Sequence, residues 1–363
     1  MPPHIPPTPP ESRADSPEDG AEPRRRGSRK SAGGITLRDV AQLAGVAPIT
    51  ASRALNTPSA VSPKVLQKVR DAVERTGYVP NLLAGGLASN KSRLVAVVVP
   101  TVIGPVFQEI VHTLTETLAA AGYQVMLGQS GYENSREDAL LEAIIGRRPD
   151  GVVLTGIMRS AEARKRLLAS GIPVVETWDL TPTPIDMLVG FSHENIGREV
   201  ARYLHAAGRK VVAVVGGRDE RSRRRMDSFA QESAALGMAA GADVAMHHVT
   251  APTTLGQGRK GLADLLERQP GIDAIFCSSD LLALGVMIEA QSRGIRIPEQ
   301  LAVVGFGDLE FSRDLQPQLT TVRIDGTGIG QRAARFIIDR AAGIEVAERI
   351  VDVGFSIIRR ESA

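Results

Sequence analysis

Two hydrophobic periodicities divide this chain. From Leu94 onward, short β-branched runs alternate with amphipathic stretches: LVAVVV (94–99), YQVML (123–127), GVVLT (151–155), IPVVE (172–176), KVVAVV (210–215), DAIFCS (273–278) and LAVVGF (301–306). Continuous apolar runs of this length suit strands buried on both faces. Their alternation with helices predicts βαβ units, parallel sheets covered by helices. The stretch is long enough for two such sheets with a cleft between them, so the predicted fold class is α/β.

Residues 35–80 follow a helical period instead. Thr36 to Asp39 fits a capping box, and Leu37, Val40, Ala41 and Ala44 form one apolar face that Gly45 ends. Pro48 suits the first turn of a second helix running to about Leu55, and Ser62-Pro63 opens a third with Leu66, Val69 and Val73 inward. Two short helices joined by a tight glycine turn and braced by a third form either a helix-turn-helix or a small protein-binding bundle.

Residues 1–34 show neither period. They hold eight of the chain's 22 prolines, too little apolar surface to offset the entropy of ordering, and are predicted to be a disordered tail. The run Arg24-Arg25-Arg26-Gly27-Ser28-Arg29-Lys30 adds nonspecific phosphate attraction or simply keeps the tail soluble.

Charge sharpens this division. The net +2 conceals thirteen Lys and Arg against three acids over residues 24–93, with the segments on either side each at −4. That asymmetry suggests a polyanion-binding module joined to a neutral domain, although a basic stretch is also how a solvated surface reads. A chain 43% apolar and 23% charged is an ordinary globular composition. No apolar run approaches the roughly 18 residues of a membrane span, and the N-terminus lacks a signal-peptide pattern, so a cytoplasmic location is expected. The single Cys277 and six scattered histidines give no metal-ligand spacing, and nothing assembles a nucleophile, base and oxyanion site. No cofactor, metal or catalytic residue is assigned. Gly326-Thr-Gly-Ile-Gly330 precedes a helix, but Gln331 stands where a dinucleotide fingerprint needs glycine.

The strings ITLRDVAQLAGVAPITASRALN (35–56) and VSPKVLQKVRDAVERTGYVPNLLAGGLAS (61–89) resemble the DNA-binding region of LacI/GalR-family bacterial transcription repressors. The remainder is similar to that family's periplasmic-binding-protein-like effector domain. The segments VGF (189–191), DAIFCSSDLLALG (273–285) and DVGFS (352–356) look most like the gluconate-operon repressor branch. The resemblance implies a helix-turn-helix headpiece over 35–80, a hinge helix over 81–92 and an effector and dimerisation domain over 93–363. Its first lobe would take about 93–190 and 324–345, and its second 191–323 and 346–363.

By that resemblance the base-reading positions fall on Pro48, Ile49 and Arg53. Arg53 can make a bidentate pair with guanine worth about 1–3 kcal/mol of discrimination, or hold a phosphate, whereas Pro48 and Ile49 can only pack. Thr36, Thr50, Ser52, Asn56 and Ser62 match phosphate-holding positions, several of which also suit helix caps. Ala47 stands where the family commonly has serine, which removes one cap and one phosphate donor. Asn81 opens the expected hinge helix, and Leu87 matches the residue wedged into the minor groove to kink the duplex. Gly85 and Gly86 each cost about 1 kcal/mol of helix propensity, so this segment is expected to be disordered away from DNA.

Positions matching the family's effector site are Phe107, Trp178, Asp179, Arg225, Ser279 and Asp280. Phe107 is a cavity wall or plain core. Trp178 and Asp179 compete for one matched position. Arg225 is the ligand-clamping arginine, in a cluster of five between 218 and 225 most of which are expected to be solvated; one inward member suffices to grip a carboxylate or phosphate. Asp280 is a ligand contact or a helix N-cap. Gly307 replaces the aspartate with which neutral-sugar repressors hold hydroxyls, favouring a sugar acid, keto acid or phosphorylated form as effector. The reading is a homodimeric repressor on a palindromic operator. The alternative, a transport-type sugar-binding protein, would share residues 94–363 but not the headpiece.

Overall fold

The computed structural model describes residues 34–79, 91–102, 104–131, 134–158, 160–239 and 243–363. The expected tail (except residue 34) and the expected hinge helix with Asn81 and Leu87 (except residues 91 and 92) lie outside the described residues. The chain divides into two units, residues 1–81 and 82–363.

Among its described residues the first unit holds three α-helices, α1 (Leu37–Ala44), α2 (Pro48–Asn56) and α3 (Pro63–Thr76). At the start of α1 the Asp39 carboxylate accepts from the main-chain N–H of Thr36 at 2.8 Å and from its hydroxyl at 2.7 Å. The helix ends where Gly45 takes a left-handed φ of 65° that a Cβ would oppose. Pro48 occupies the first turn of α2, behind an Ala47 that provides no side-chain cap. Small residues Ala41, Ala44, Ala51, Ala54 and Ala72 pack with Val40 and Val69, so the three helices approach closely around a compact core.

The second unit contains two six-stranded sheets. In the first, β1 (Leu94–Val99), β2 (Gln124–Gln129), β3 (Gly151–Thr155), β4 (Val174–Thr177), β5 (Met187–Gly190) and β11 (Ile350–Asp352) run parallel in the order β11-β5-β4-β3-β1-β2. The second has the order β12-β10-β9-β8-β6-β7. Its strands are β6 (Val212–Gly217), β7 (Ala245–Val249), β8 (Ala274–Cys277), β9 (Ala302–Phe306) and β10 (Thr320–Arg323), with β12 (Ser356–Ile358) antiparallel at the edge. The seven strand runs legible in the sequence correspond to β1–β4, β6, β8 and β9.

Among the described residues eight further α-helices cover these sheets: α4 (Gln108–Ala120), α5 (Asn134–Ile145), α6 (Ala161–Ser170), α7 (His193–Ala206), α8 (Glu220–Ala235), α9 (Leu255–Arg268), α10 (Asp280–Ser292) and α11 (Gly326–Ala341). α11 packs on α4 and on β3, β4 and β5, α7 packs on α8, and α9 packs on α10. The glycines at the start of α11 serve this packing: a Cβ at Gly330 would lie 2.9 Å from Thr113 and 3.0 Å from the Ile110 carbonyl of α4. No described helix is long and apolar enough to cross a membrane.

The expected boundary between the lobes needs one correction. The expected second lobe takes in residues near 350, but Ile350, Val351 and Asp352 pair in parallel with Leu188, Val189 and Gly190 of the first sheet. The chain therefore crosses between the sheets three times: after β5, after β10, and between β11 and β12. One apolar cluster runs through both lobes, from Val95 and Phe107 through Phe191 to Phe306 and Val322.

Candidate functional site

In the first unit, Pro48, Ile49, Ser52, Arg53 and Asn56 share one side of α2, within an arc of about 140° at 100° per residue. Ala51 and Ala54 face the core. Ile49 is 63% exposed, an unusual position for a bare aliphatic side chain. Arg53 and Asn56 are exposed, Thr50 is half-buried, and the Asn56 amide donates to the Ser52 hydroxyl at 3.3 Å. Ser62 accepts from the Val65 N–H at 3.4 Å as the cap of α3, and Thr36 is engaged by Asp39. The α2 surface is thus a protruding, uncharged ridge with one guanidinium beside it.

In the second unit, a cavity of about 120 Å³ opens at the carboxyl ends of strands from both sheets. Thr101 and Phe107 follow β1, Trp178 follows β4, Asp219, Arg221 and Arg225 follow β6, Ser278 and Ser279 follow β8, and Phe306 ends β9. This is where parallel α/β sheets bind ligands. The volume lies below the roughly 300–1,000 Å³ of most ligand pockets.

Four of the six expected effector positions line this cavity: Phe107, Trp178, Arg225 and Ser279. The other two do not. Asp179 is buried and ion-paired to Arg224, and its Oδ1 accepts from the Leu180 N–H at 2.8 Å. Asp280 is neither N-cap nor lining residue. Ser279 caps α10, and the buried Asp280 carboxylate accepts from Thr321 Oγ1 (2.6 Å), the Leu309 N–H (2.8 Å) and Ser312 Oγ (2.9 Å). Burial raises its carboxyl above the usual range despite these donors.

The arginine cluster departs from the expectation that most of its five members are solvated, because three of them turn inward. Arg218 and Arg223 are exposed. Arg224 bridges Asp179 and Glu194. Arg225 is buried, with its guanidinium 4.0 Å over the Phe306 ring and hydrogen-bonded to His193 Nδ1 (2.8 Å), the Ser278 carbonyl (3.1 Å) and Ser222 Oγ (3.3 Å). Burial pulls it down to about 10, so it remains charged at neutral pH. Its Nε is buried with no partner among the described residues. Arg221 lies over the Phe107 ring at 5.5 Å and donates to the Thr155 carbonyl of the first lobe at 3.3 Å.

Asp219 is the one carboxylate on the cavity wall. Burial raises its pKa, but Arg225, Ser222 and Arg221 outweigh that and hold it below the ordinary value. As the N-cap of α8 it accepts from the Ser222 N–H at 3.1 Å, while Ser279 caps α10 beside it, so two helix N-termini converge on the cavity. Two guanidiniums, two helix ends and one carboxylate make the cavity electropositive.

Trp178 forms the first-lobe wall in a left-handed conformation, φ 68°, which costs a bulky residue about 1–3 kcal/mol. Its ring meets Phe107 and Phe191 edge-on, with centroids at 5.4 and 5.1 Å. His193, wholly buried at the start of α7, lies with Nε2 3.0 Å from the Trp178 carbonyl and Nδ1 against Arg225. Burial and the neighbouring Arg225, Arg221 and Arg224 hold its pKa well below the ordinary histidine value.

Sequence patterns offer no signal for His193, Arg221 or Phe306 as site residues, because each is placed by contacts with residues distant in the chain. Among the described residues no group of three or more His, Cys, Asp or Glu side chains could hold a metal.

Residues 36–81 match the family described as bacterial regulatory proteins, lacI family, and residues 201–363 match a periplasmic binding protein-like domain. The chain is similar to the HTH-type transcriptional regulator GntR of Pseudomonas aeruginosa, 38% identical over 92% of this chain and 97% of that protein. Among solved structures, a lacI-family transcriptional regulator from Silicibacter pomeroyi aligns with a TM-score of 0.85 at 32% identity, covering 91% of this chain and 99% of that one. The transcription regulator GntR from Chromobacterium violaceum aligns with a TM-score of 0.69 at 34% identity, covering 74% and 98%.

Proposed function

The chain belongs to the lacI family of bacterial regulatory proteins, and from that premise we propose that it is a repressor whose grip on an inverted-repeat operator responds to an anionic sugar derivative. It is a DNA-binding transcriptional regulator and not an enzyme. Two copies of the chain would present their α2 helices to the two half-sites of one operator, in the cytoplasm where the DNA lies. Arg53 would read a guanine edge, Ile49 and Pro48 would pack on base methyls, and Thr36, Thr50, Ser52, Asn56 and Ser62 would hold phosphates. Asn81 and Leu87 would belong to the hinge.

The observation that carries the effector class is the pair of guanidiniums, Arg221 and Arg225, on a cavity wall with a single carboxylate. A neutral sugar would leave that excess of positive charge unmatched, whereas a carboxylate or phosphate ester would accept from both. The Thr155 carbonyl that Arg221 now contacts is neutral, so an anion would outcompete it, and losing this link between the lobes would favour a different degree of closure. Trp178 and Phe306 supply apolar faces for the carbon chain. D-gluconate and its keto and phosphorylated relatives fit this description, and the GntR names of the similar proteins agree with it.

The test is operator selection from randomised inverted repeats with the full-length protein, followed by titration of the selected site with D-gluconate, 2-keto-D-gluconate and 6-phospho-D-gluconate. D-sorbitol, which matches gluconate in shape without the charge, is the control. A change in operator affinity of about 5–150-fold with an anion and none with sorbitol is expected. An equal response to sorbitol would remove charge as the recognised feature, and the absence of any preferred site would remove the repressor reading.

A further inference from the structure

We propose that His193 is a positioning residue, a neutral imidazole that ties the main chain of Trp178 in the first lobe to the guanidinium of Arg225 in the second. The inference rests on the reading of Trp178 and Arg225 as effector-binding walls.

Hydrogen-bond chemistry fixes the state of the ring. Arginine has donors only, so Nδ1 must present its lone pair to the Arg225 Nη1 at 2.8 Å. The ring proton then sits on Nε2 and donates to the Trp178 carbonyl at 3.0 Å. Only this tautomer satisfies both neighbours, and a doubly protonated ring would set an N–H against a guanidinium. The charged groups around the ring are Arg221, Arg224 and Arg225 of α8, with Asp219 at that helix's cap, Asp179 beside Trp178 and Glu194 beside His193 itself. The three arginines and the absence of solvent favour the neutral form.

Both partners need such a tie. Trp178 sits in a conformation that a bulky residue rarely holds, and the turn it belongs to presses on β5: a Cβ at Gly190 would lie 1.8 Å from the Asp179 carbonyl. Arg225 is long and buried, and His193 supplies its shortest hydrogen bond. The Phe191 ring, 4.8 Å from the imidazole and 5.1 Å from the Trp178 ring, fills the space between them. A movement of either wall is therefore passed to the other through a single rigid ring.

Three substitutions separate the two bonds. Asn in His193→Asn can set its amide oxygen near the Nδ1 position, serving Arg225 alone. Gln in His193→Gln reaches toward the Nε2 position and serves Trp178 alone. Phe in His193→Phe serves neither. Trp178 is the chain's only tryptophan, so its fluorescence reports one site. With full-length protein and no effector, acrylamide quenching is expected to match wild type in His193→Gln and to rise in His193→Asn and His193→Phe. In titration calorimetry with D-gluconate and 6-phospho-D-gluconate, His193→Gln is expected to lose roughly tenfold in affinity despite its unchanged quenching. Identical quenching in all folded variants, or Gln and Asn variants shifted alike, would overturn the proposal. Wild-type protein that binds neither anion would sink the effector class alone, because the quenching order still decides the tie to Trp178. If the variants do not fold, 15N-histidine spectra of the wild type decide: a His193 proton on Nε2 that persists to about pH 5.5 is expected, and a proton on Nδ1 overturns the assignment.

Discussion

Arg224 of the second lobe and Asp179 of the first form an ion pair whose two ends are not equivalent. Asp179 has a side chain 1% exposed, whereas Arg224 is 24% exposed and keeps a second carboxylate, Glu194, at 3.1 Å. Replacing Arg224 with methionine strands a buried charge and is expected to cost about 3–5 kcal/mol. Asp179→Asn leaves Arg224 paired with Glu194 and should cost about 1 kcal/mol. Urea unfolding of both variants checks this: equal costs would show that the two ends are equivalent, and the reverse order would place the greater dependence on Arg224.

On the DNA side, Arg53 is the one cation among the five side chains facing outward on α2. Arg53→Ala is expected to lose about 1–3 kcal/mol of preference for the selected operator over a scrambled duplex while keeping salt-sensitive nonspecific binding. Competition binding at two salt concentrations measures both quantities. An unchanged preference with weaker binding to every duplex would make Arg53 a phosphate contact.

His193 links acidity to stability in a definite direction. Its folded pKa lies below the ordinary 6.5, so between those two values the unfolded chain binds a proton that the folded chain does not. Stability is therefore fully present above about pH 7.5 and falls as the pH drops through 6.5 and below. Unfolding free energies at about pH 5.5 and pH 7.5 should differ less in His193→Gln than in wild type.

Asp280 acts in the opposite sense. Burial holds its folded pKa above the ordinary 3.8, so the folded chain keeps a proton longer than the unfolded one, and stability falls as the pH rises through that window. Asp280→Ala would leave two hydroxyls and the Leu309 N–H without their acceptor and should cost about 3 kcal/mol or more. Asp280→Asn should cost less and lack the acid-side slope, which a pH series of denaturation curves tests.

The helices of the first unit were legible because caps, Pro48 and Gly45 are local signals, and so were the strands whose apolar runs are continuous. β5 and β7 escaped notice for different reasons. MLVG has one β-branched residue and ends in glycine, and AMHHV carries two histidines on an edge strand where polar side chains are tolerated. β10, β11 and β12 are three or four residues long and gain their pairing only from distant partners. The cavity was half legible. Phe107, Trp178, Arg225 and Ser279 could be matched one by one, but spacing along α8 could not show that Arg221 and Arg224 also turn inward. Both do so because their partners, Thr155 at the end of β3 and Asp179 in the turn after β4, belong to the other lobe.

The last two strands of the chain, only four residues apart, close opposite sheets: Asp352 ends β11 in one and Ser356 begins β12 in the other. During synthesis both sheets must wait for residues 350–358 to leave the ribosome before either gains this edge strand. Neither lobe can be finished early, nor cut away cleanly afterwards, and a premature stop near residue 345 would leave two open sheets instead of one intact half.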